Sequence, residues 1–491
     1  MLEKTARFTS LAFWSAVVLS LLGCSLPDLR REVGDVPPES RSFNVQRANG
    51  EGIEFYTVNA VRLAEGARCI VYVSEEEPIS SRTAKDIALE YDTRIYPAVT
   101  GVFGDHAGTE FDVDGNGKVI LLLLDIQDGY QGSGAYVAGY FDMTHMYLYG
   151  RYSNQADMLF LDVNPQVPGS AGFYTNIAHE LQHLLNYARH NGEPQELWLN
   201  EGLSCAAEHL YGGVQQGRID YFNNHPDTIA YGNNFFVWDG FWEQEYGDTL
   251  ANYATAYLFF QWLRIHAGGN GVYTDIIGSA YRDYRAVAQA AGNRIPGMGE
   301  TDEERWDALL SSWMIANYVN APAGSEFELY GYKGAVSTRV WGFLNHHITE
   351  AIFSPGEGIF SSLKEKTVEA DEVSSSGRHI RYAGIGGGEA LIKRETPYTG
   401  DVLLTYNANP DPGGGDEQGY LFSYGGFPQS FVLPQPLASP LAAAPSFAAA
   451  RSPGGTSAGG SGLSASYPVG VHDLKAARRS APPAVKLRTA P

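Results

Sequence analysis

The sequence predicts an α+β fold: an α/β N-terminal part, a helical middle and a small β-rich module after it. Three observations carry this expectation. Up to about residue 165 the apolar residues come in short alternating or continuous runs, as strands require. From Thr175 to about Ala321 the apolar spacing follows the helical period,. From Gly334 to about Phe431 strand-like runs return between glycine-rich turns,. Taken in order, Phe43-Asn44-Val45 and Cys69–Val73 read as strands, and residues 80–96 (SSRTAKDIALEYDTRIY) carry an apolar face at helical spacing,. Val119–Asp125 (VILLLLD) has no polar interruption and reads as a buried strand, with Met158–Asp162 as a further one,. RHIRYAGI, GDVLLTY and YLFSYGGF supply the last module. The expected units are 43–330, divided into 43–172 and 173–330, and then 331–433.

Composition narrows the function. The 491 residues are 44% hydrophobic, enough for a sizeable core, and 18% charged, below the usual share for soluble domains,. A net charge of −22 argues against a nucleic-acid partner, because a phosphate backbone needs a basic footprint,. Three cysteines in so long a chain exclude a disulfide-stapled scaffold,. No internal repeat is visible, and the low charge with 56 glycines and 30 tyrosines fits an exported protein.

Both ends stand apart from the body. Lys4 and Arg7 precede an apolar run, Leu11–Leu22, that is shorter than the about 20 residues a membrane span needs,. It closes on Leu21-Leu22-Gly23-Cys24, which resembles the lipobox of bacterial lipoproteins. The resemblance implies a signal peptide over 1–23, a lipid on Cys24 as mature N-terminus, and a membrane anchor at the cell envelope. Ser25 after the cysteine fits export to the outer membrane or surface. Residues 24–42, polar and with Pro37-Pro38, read as a tether,. Residues 434–491, rich in Ala, Pro, Ser and Gly, are expected to be disordered, since they bury too little apolar surface to offset their ordering entropy,.

The chemistry concentrates in 173–212. His179-Glu180-Leu181-Gln182-His183 is an H-E-x-x-H motif in a helical stretch, with Thr175 and Asn176 as candidate N-caps,. Residues i and i+4 share a helix face, so both imidazoles can hold one Zn²⁺, with Glu180 placed to take a proton from activated water. A catalytic zinc needs a third protein ligand. The H-x-x-G-x-x-H continuation fails, since Asn186 and Arg189 stand at its positions and His190 is one residue out of register. Gly192 and Pro194 break the helix, and Trp198-Leu199-Asn200-Glu201-Gly202 follows,.

That segment resembles the W-L-N-E-G segment of gluzincins, which implies Glu201 as the third ligand. In gluzincin aminopeptidases a later tyrosine stabilises the oxyanion. Aligned on Gly268-Gly269, Tyr253 falls at that position and Tyr257 one turn on. Asn200 and Glu208 are candidates to support the ligands. Phe173–Gly212 as a whole, with Asp112–Lys118, Tyr136–Phe141 and Met158–Asp162 upstream, is similar to the hyicolysin family of zinc metallopeptidases. The resemblance covers roughly 43–330. It implies a gluzincin-like metallopeptidase, a secreted neutral endopeptidase with protein or peptide substrates. Two other readings stay open. One is a zinc aminopeptidase, although no Gly-x-Met-Glu-Asn segment precedes His179. The other is a non-catalytic surface-binding lipoprotein with a vestigial zinc site.

Asp112, Asp114 and Asn116 match the first ligands of a calcium loop, making Ca²⁺ a candidate second cofactor, with a plain glycine-rich turn as the alternative,. The glutamate expected at loop position 12 is replaced by Leu123. Cys69 and Cys205 read as buried free thiols, a disulfide between them being the alternative,.

Overall fold

The computed structural model describes residues 39–47, 54–132, 136–225, 235–238, 246–343, 348–386, 391–428, 431, 433 and 465–469. The signal peptide, Cys24 and residues 24–38 of the tether lie outside them, as does most of 434–491. The fold is α+β. Among the described residues no helix is long and apolar enough to cross a membrane.

The N-terminal part is a seven-stranded mixed sheet. β1 (Ser40–Arg47), β2 (Glu54–Glu65) and β3 (Cys69–Ser74) form an antiparallel meander. The chain then crosses over through α1 (Ser81–Glu90), a π-helical turn (Tyr91–Ile95) and α2 (Tyr96–Phe103). The helix expected over 80–96 is therefore longer and broken. Pro97 has no N–H to give to the turn before it, and the wide turn sits there,. β4 (Val119–Leu124) and β6 (Met158–Asp162) run parallel to β3, and β5 (Val137–Asp142) is antiparallel to β6. Alternate side chains serve two cores. Leu121, Leu123, Leu159 and Leu161 face the helices, while Ile120, Leu122 and Phe160 join Phe43 and Tyr72 on the other face. This is the period-two geometry of a sheet covered on both sides.

The helical part opens with α3 (Ala171–Arg189), followed by α4 (Leu197–Gly212), α5 (Gln216–Asn224), α6 (Tyr246–His266), α7 (Gly271–Ile277), α8 (Tyr284–Gly292) and α9 (Asp302–Val319). α3 starts earlier than the sequence suggested. Ser170 is the N-cap, its hydroxyl accepting from Phe173 N at 3.3 Å. Thr175 and Asn176 lie inside the helix, where Thr175 Oγ1 donates to Ala171 O and the Asn176 amide donates to Ala138 O of β5 at 3.0 Å. A capping box at Thr301 and Glu304 starts α9,.

β7 (Thr349–Phe353), β8 (Gly358–Ser362), β9 (Ile380–Ile385), β10 (Ile392–Lys393), β11 (Val402–Asn407) and β12 (Glu417–Leu421) form the β-rich part. Its four-stranded sheet has the order β10-β9-β11-β8 and its two-stranded sheet pairs β12 with β7. One side keeps its own apolar cluster, around Phe353, Leu403 and Phe422. The other side merges with the helical core through Phe360, Ile385, Leu404 and Tyr406. Tyr406 donates to Asp307 at 2.5 Å and Arg394 to Ser311 at 2.8 Å, fastening the sheet to α9. Within the stretch expected to be disordered, β13 (Ala465–Val469) is an exception: it extends the large sheet as a parallel strand on β5. The free edge of β5 offers a row of backbone donors and acceptors that an extended segment can pair with.

Candidate metal centre

Two helices and one turn build the site. α3 places His179 and His183 one turn apart on its buried face, and both are at most 1% exposed,. The chain reverses between α3 and α4, with Asn191 and Gly192 in the left-handed region (φ 55° and 81°),. Gln195 locks the reversal, its N–H donating to Asn186 Oδ1 at 3.1 Å while the Asn186 amide returns a bond to Gln195 Oε1 at 3.0 Å. α4 then lays Glu201 against the histidines. Glu201 Oε2 is 3.3 Å from His179 Nε2 and 3.6 Å from His183 Nε2. The structure thus brings together His179, His183 and Glu201, with ligating atoms within 4.8 Å of one another.

The other ring nitrogens are spoken for. His179 Nδ1 donates to Glu208 Oε1 at 2.8 Å. The Ser204 hydroxyl donates to Gln182 Oε1 at 2.5 Å, so its lone pairs are left to accept from the His183 ring, whose Nδ1 lies 3.2 Å and Nε2 3.4 Å away,. Glu208 fixes the tautomer of His179 and leaves its Nε2 facing Glu201,. His179 Nε2 and both Glu201 oxygens are buried with no hydrogen-bond partner among the described residues. Such orphaned groups are costly unless an ion satisfies them, and two imidazoles with one carboxylate form a zinc-type donor set.

Electrostatics agree with the geometry. Burial opposes a charge on His179, but the flanking Glu201 and Glu208 carboxylates overcome it and raise its pKa to about 10. Burial holds His183 down to about 4 despite Glu201. The pocket therefore favours one positive charge at the meeting point of His179 and Glu201, and a bound cation would take that place.

Behind the ligands lies a residue that sequence reading missed. Arg218, on α5 and 8% exposed, forks onto Glu208, with Nε to Oε2 at 2.8 Å and a second bond to Oε1. Burial would raise the Glu208 pKa, but Arg218 and His179 bring it down to about 2. The same guanidinium sits 4.9 Å over the Tyr253 ring,. No local pattern marks Arg218, because its partner comes from another helix.

Tyr253, on α6, packs edge-on against His179, with ring centroids 5.9 Å apart, and its other side meets Trp238 at 5.0 Å. Burial, with Glu201 beside it, pushes its hydroxyl well above the usual range, so it keeps its proton. Tyr257 faces elsewhere: its hydroxyl meets His209 Nδ1 at 3.1 Å and accepts from Gln215 N at 3.0 Å. Glu180 is 0% exposed beside β5. A Cβ at Gly139 would lie 2.5 Å from Asn176 Nδ2, 2.7 Å from Phe160 O and 3.4 Å from Glu180 Cγ, so only glycine lets the strand approach this closely,. Cys205 also lies near His179 and Glu208. Burial holds its thiol protonated, and both cysteines are free.

The candidate calcium residues divide. Asp112 and Asp114 cluster with Asp157, which the sequence reading did not select. The Asn116 side chain is engaged inside the loop, its amide on Asp114 Oδ2 at 2.6 Å and its Oδ1 on Lys118 N at 2.6 Å.

No family model matches the chain. The chain is similar to the neutral metalloprotease ShpI of Staphylococcus hyicus, 32% identical over 272 residues, which covers 52% of this chain and 57% of that protein. It thus spans little more than half of that relative's length.

Proposed function

We propose that this chain is a zinc-dependent endopeptidase of gluzincin type, of the hyicolysin family, anchored at the cell envelope through Cys24 and hydrolysing peptide bonds of proteins. One observation carries the reading: His179 Nε2, His183 Nε2 and Glu201 Oε2 converge in a buried pocket, and Glu208 behind them holds the His179 imidazole in the ligating tautomer,. Similarity to a protein named a neutral metalloprotease supports a metal-dependent peptidase.

Zinc bound there would be held by these three residues and would supply Lewis acidity toward the scissile carbonyl and a water. Glu180, next to His179 in the chain, takes the proton of the attacking water and passes it to the leaving amine. Tyr253, kept protonated by its burial, is the donor for the developing oxyanion,. Arg218 and Glu208 hold His179 and Tyr253 in a fixed relation.

The test is casein digestion by the zinc-loaded chain, with and without a chelator. Glu180→Gln should keep zinc and lose about a hundredfold to ten-thousandfold in kcat, the range of a general base. Unimpaired turnover by that variant would sink the assignment. Cleavage within a peptide whose N-terminus is blocked separates an endopeptidase from an obligate aminopeptidase. Cys24→Ala should release the protein from the membrane fraction.

A further inference from the structure

We propose that Asp112, Asp114 and Asp157 form a calcium site that clamps the loop before β4 to the start of β6. The three residues come from two distant segments. β4 and β6 are parallel neighbours paired from Ile120 and Met158, and Ile120 N donates to Asp157 O at 3.0 Å. Asp157 therefore sits beside the loop that carries Asp112 and Asp114. One carboxylate oxygen from each lies within 4.8 Å of the others. Oxygens on a common calcium ion, at about 2.4 Å from it, span that separation.

The independent observation is Asp157 itself. It is 1% exposed, and its Oδ2 meets His106 Nε2 at 2.8 Å. Its Oδ1 is buried with no hydrogen-bond partner among the described residues. A buried carboxylate oxygen left bare is costly. Among the described residues no lysine or arginine forms an ion pair with Asp112, Asp114 or Asp157, and the neighbouring Lys118 is engaged by Glu65 at 2.5 Å. Asp112 is oriented by backbone donors: Gly108 N donates to its Oδ2 at 2.8 Å and Gly117 N to its Oδ1 at 3.1 Å. Asp114 is exposed, which leaves room for water to complete the shell. Three hard carboxylates without nitrogen or sulfur donors suit calcium better than zinc.

The clamp would reach the zinc-binding helix. Phe111, in the same loop, packs edge-on against Tyr187 of α3 with centroids 5.6 Å apart. The loop and the end of α3 also line a cavity of about 300 Å³ that includes His106, Phe111, Leu185 and Arg189.

The test uses the full, zinc-loaded chain and calcium chloride as the probe, read by titration calorimetry and thermal unfolding. One calcium ion per chain should bind and raise the unfolding transition by a few degrees. Asp157→Asn should weaken binding at least tenfold without changing zinc content. Asp114→Asn, at an exposed position, should do the same and decides the matter if the first variant does not fold. No binding up to about 10 mM, beyond the weakest ordinary calcium modules, overturns the proposal. So does parental affinity in both variants, or magnesium binding as tight as calcium. Equal destabilisation by Asp157→Asn with and without calcium would assign Asp157 to its hydrogen bond with His106 alone, and would also overturn it.

Discussion

Gly202 follows the proposed third ligand, Glu201, inside α4, and a single methyl group there should disturb both stability and metal binding. A Cβ built at Gly202 lies 2.0 Å from Phe260 Cε2, 2.6 Å from Cδ2 and 2.7 Å from Cζ. Carbon atoms pack at about 3.5–4.0 Å, so helix or ring must give way by at least about 1.5 Å. Phe260 has little room to do so. It is 0% exposed, with the rings of Phe259, Tyr273 and Trp198 at 5.5, 6.2 and 6.4 Å. Overpacking so tight a contact costs about 3 kcal/mol, the upper part of the usual range. Alanine regains about 1 kcal/mol of helix propensity over glycine, leaving Gly202→Ala destabilised by about 2 kcal/mol. At about 2–4 °C per kcal/mol in a large domain, the unfolding transition should fall by several degrees. A shift of this size in α4 also exceeds the about 0.2 Å tolerance of metal ligation, so zinc affinity should fall at least tenfold. Thermal unfolding and competition with a calibrated chelator measure the two effects. The control is Gly172→Ala in α3, exposed and with nothing within 4 Å of its Cβ. It should gain up to about 1 kcal/mol. A Gly202→Ala protein as stable as the parent, with parental zinc affinity, would refute the reasoning.

Two further outcomes follow from groups around the centre. Glu208→Gln removes the carboxylate that orients His179 and pairs with Arg218. It should cost about 10–100-fold in zinc affinity; chelator competition checks this, and affinity within twofold of the parent contradicts it. His190, buried beside Arg282 and Arg189, has its pKa lowered to about 4 by burial and then by those cations. The unfolded chain takes up its proton near pH 6.5 and the folded one resists it. Its contribution to stability is therefore complete above about pH 6.5 and is lost as pH falls toward 4. His190→Gln should flatten that part of the stability–pH curve in urea unfolding, and an unchanged slope between pH 6.5 and 4 would remove His190 from the account.

The residues of the candidate metal centre were legible because each signal is local. His179 and His183 are four apart on one helix, and Glu201 sits in a five-residue segment after a glycine and a proline. Glu208 was legible as a candidate for the same reason. The helical middle and the buried strands Val119–Leu124 and Met158–Asp162 were readable from periodicity,. The start of α3 was not. Thr175 and Asn176 have N-cap chemistry, but Ser170 has it too, and the contact of Asn176 with β5 decides where the amide goes. Neither the merging of the β-rich sheet with α9 nor the pairing of 465–469 with β5 had a local signal.

The sequence by itself determined the candidate donor set, its helical presentation and the acidic character of the chain. These rest on residue type and short spacing, which the chain carries without folding. Tertiary structure alone decided which groups stand behind and beside the ligands. Arg218 reaches Glu208 from a separate helix, Gly139 and Gly202 are glycines because other elements approach them, and Asp157 joins Asp112 and Asp114 across two parallel strands. Such contacts depend on how elements pack in space, and packing between residues far apart in the chain leaves no periodic trace along it.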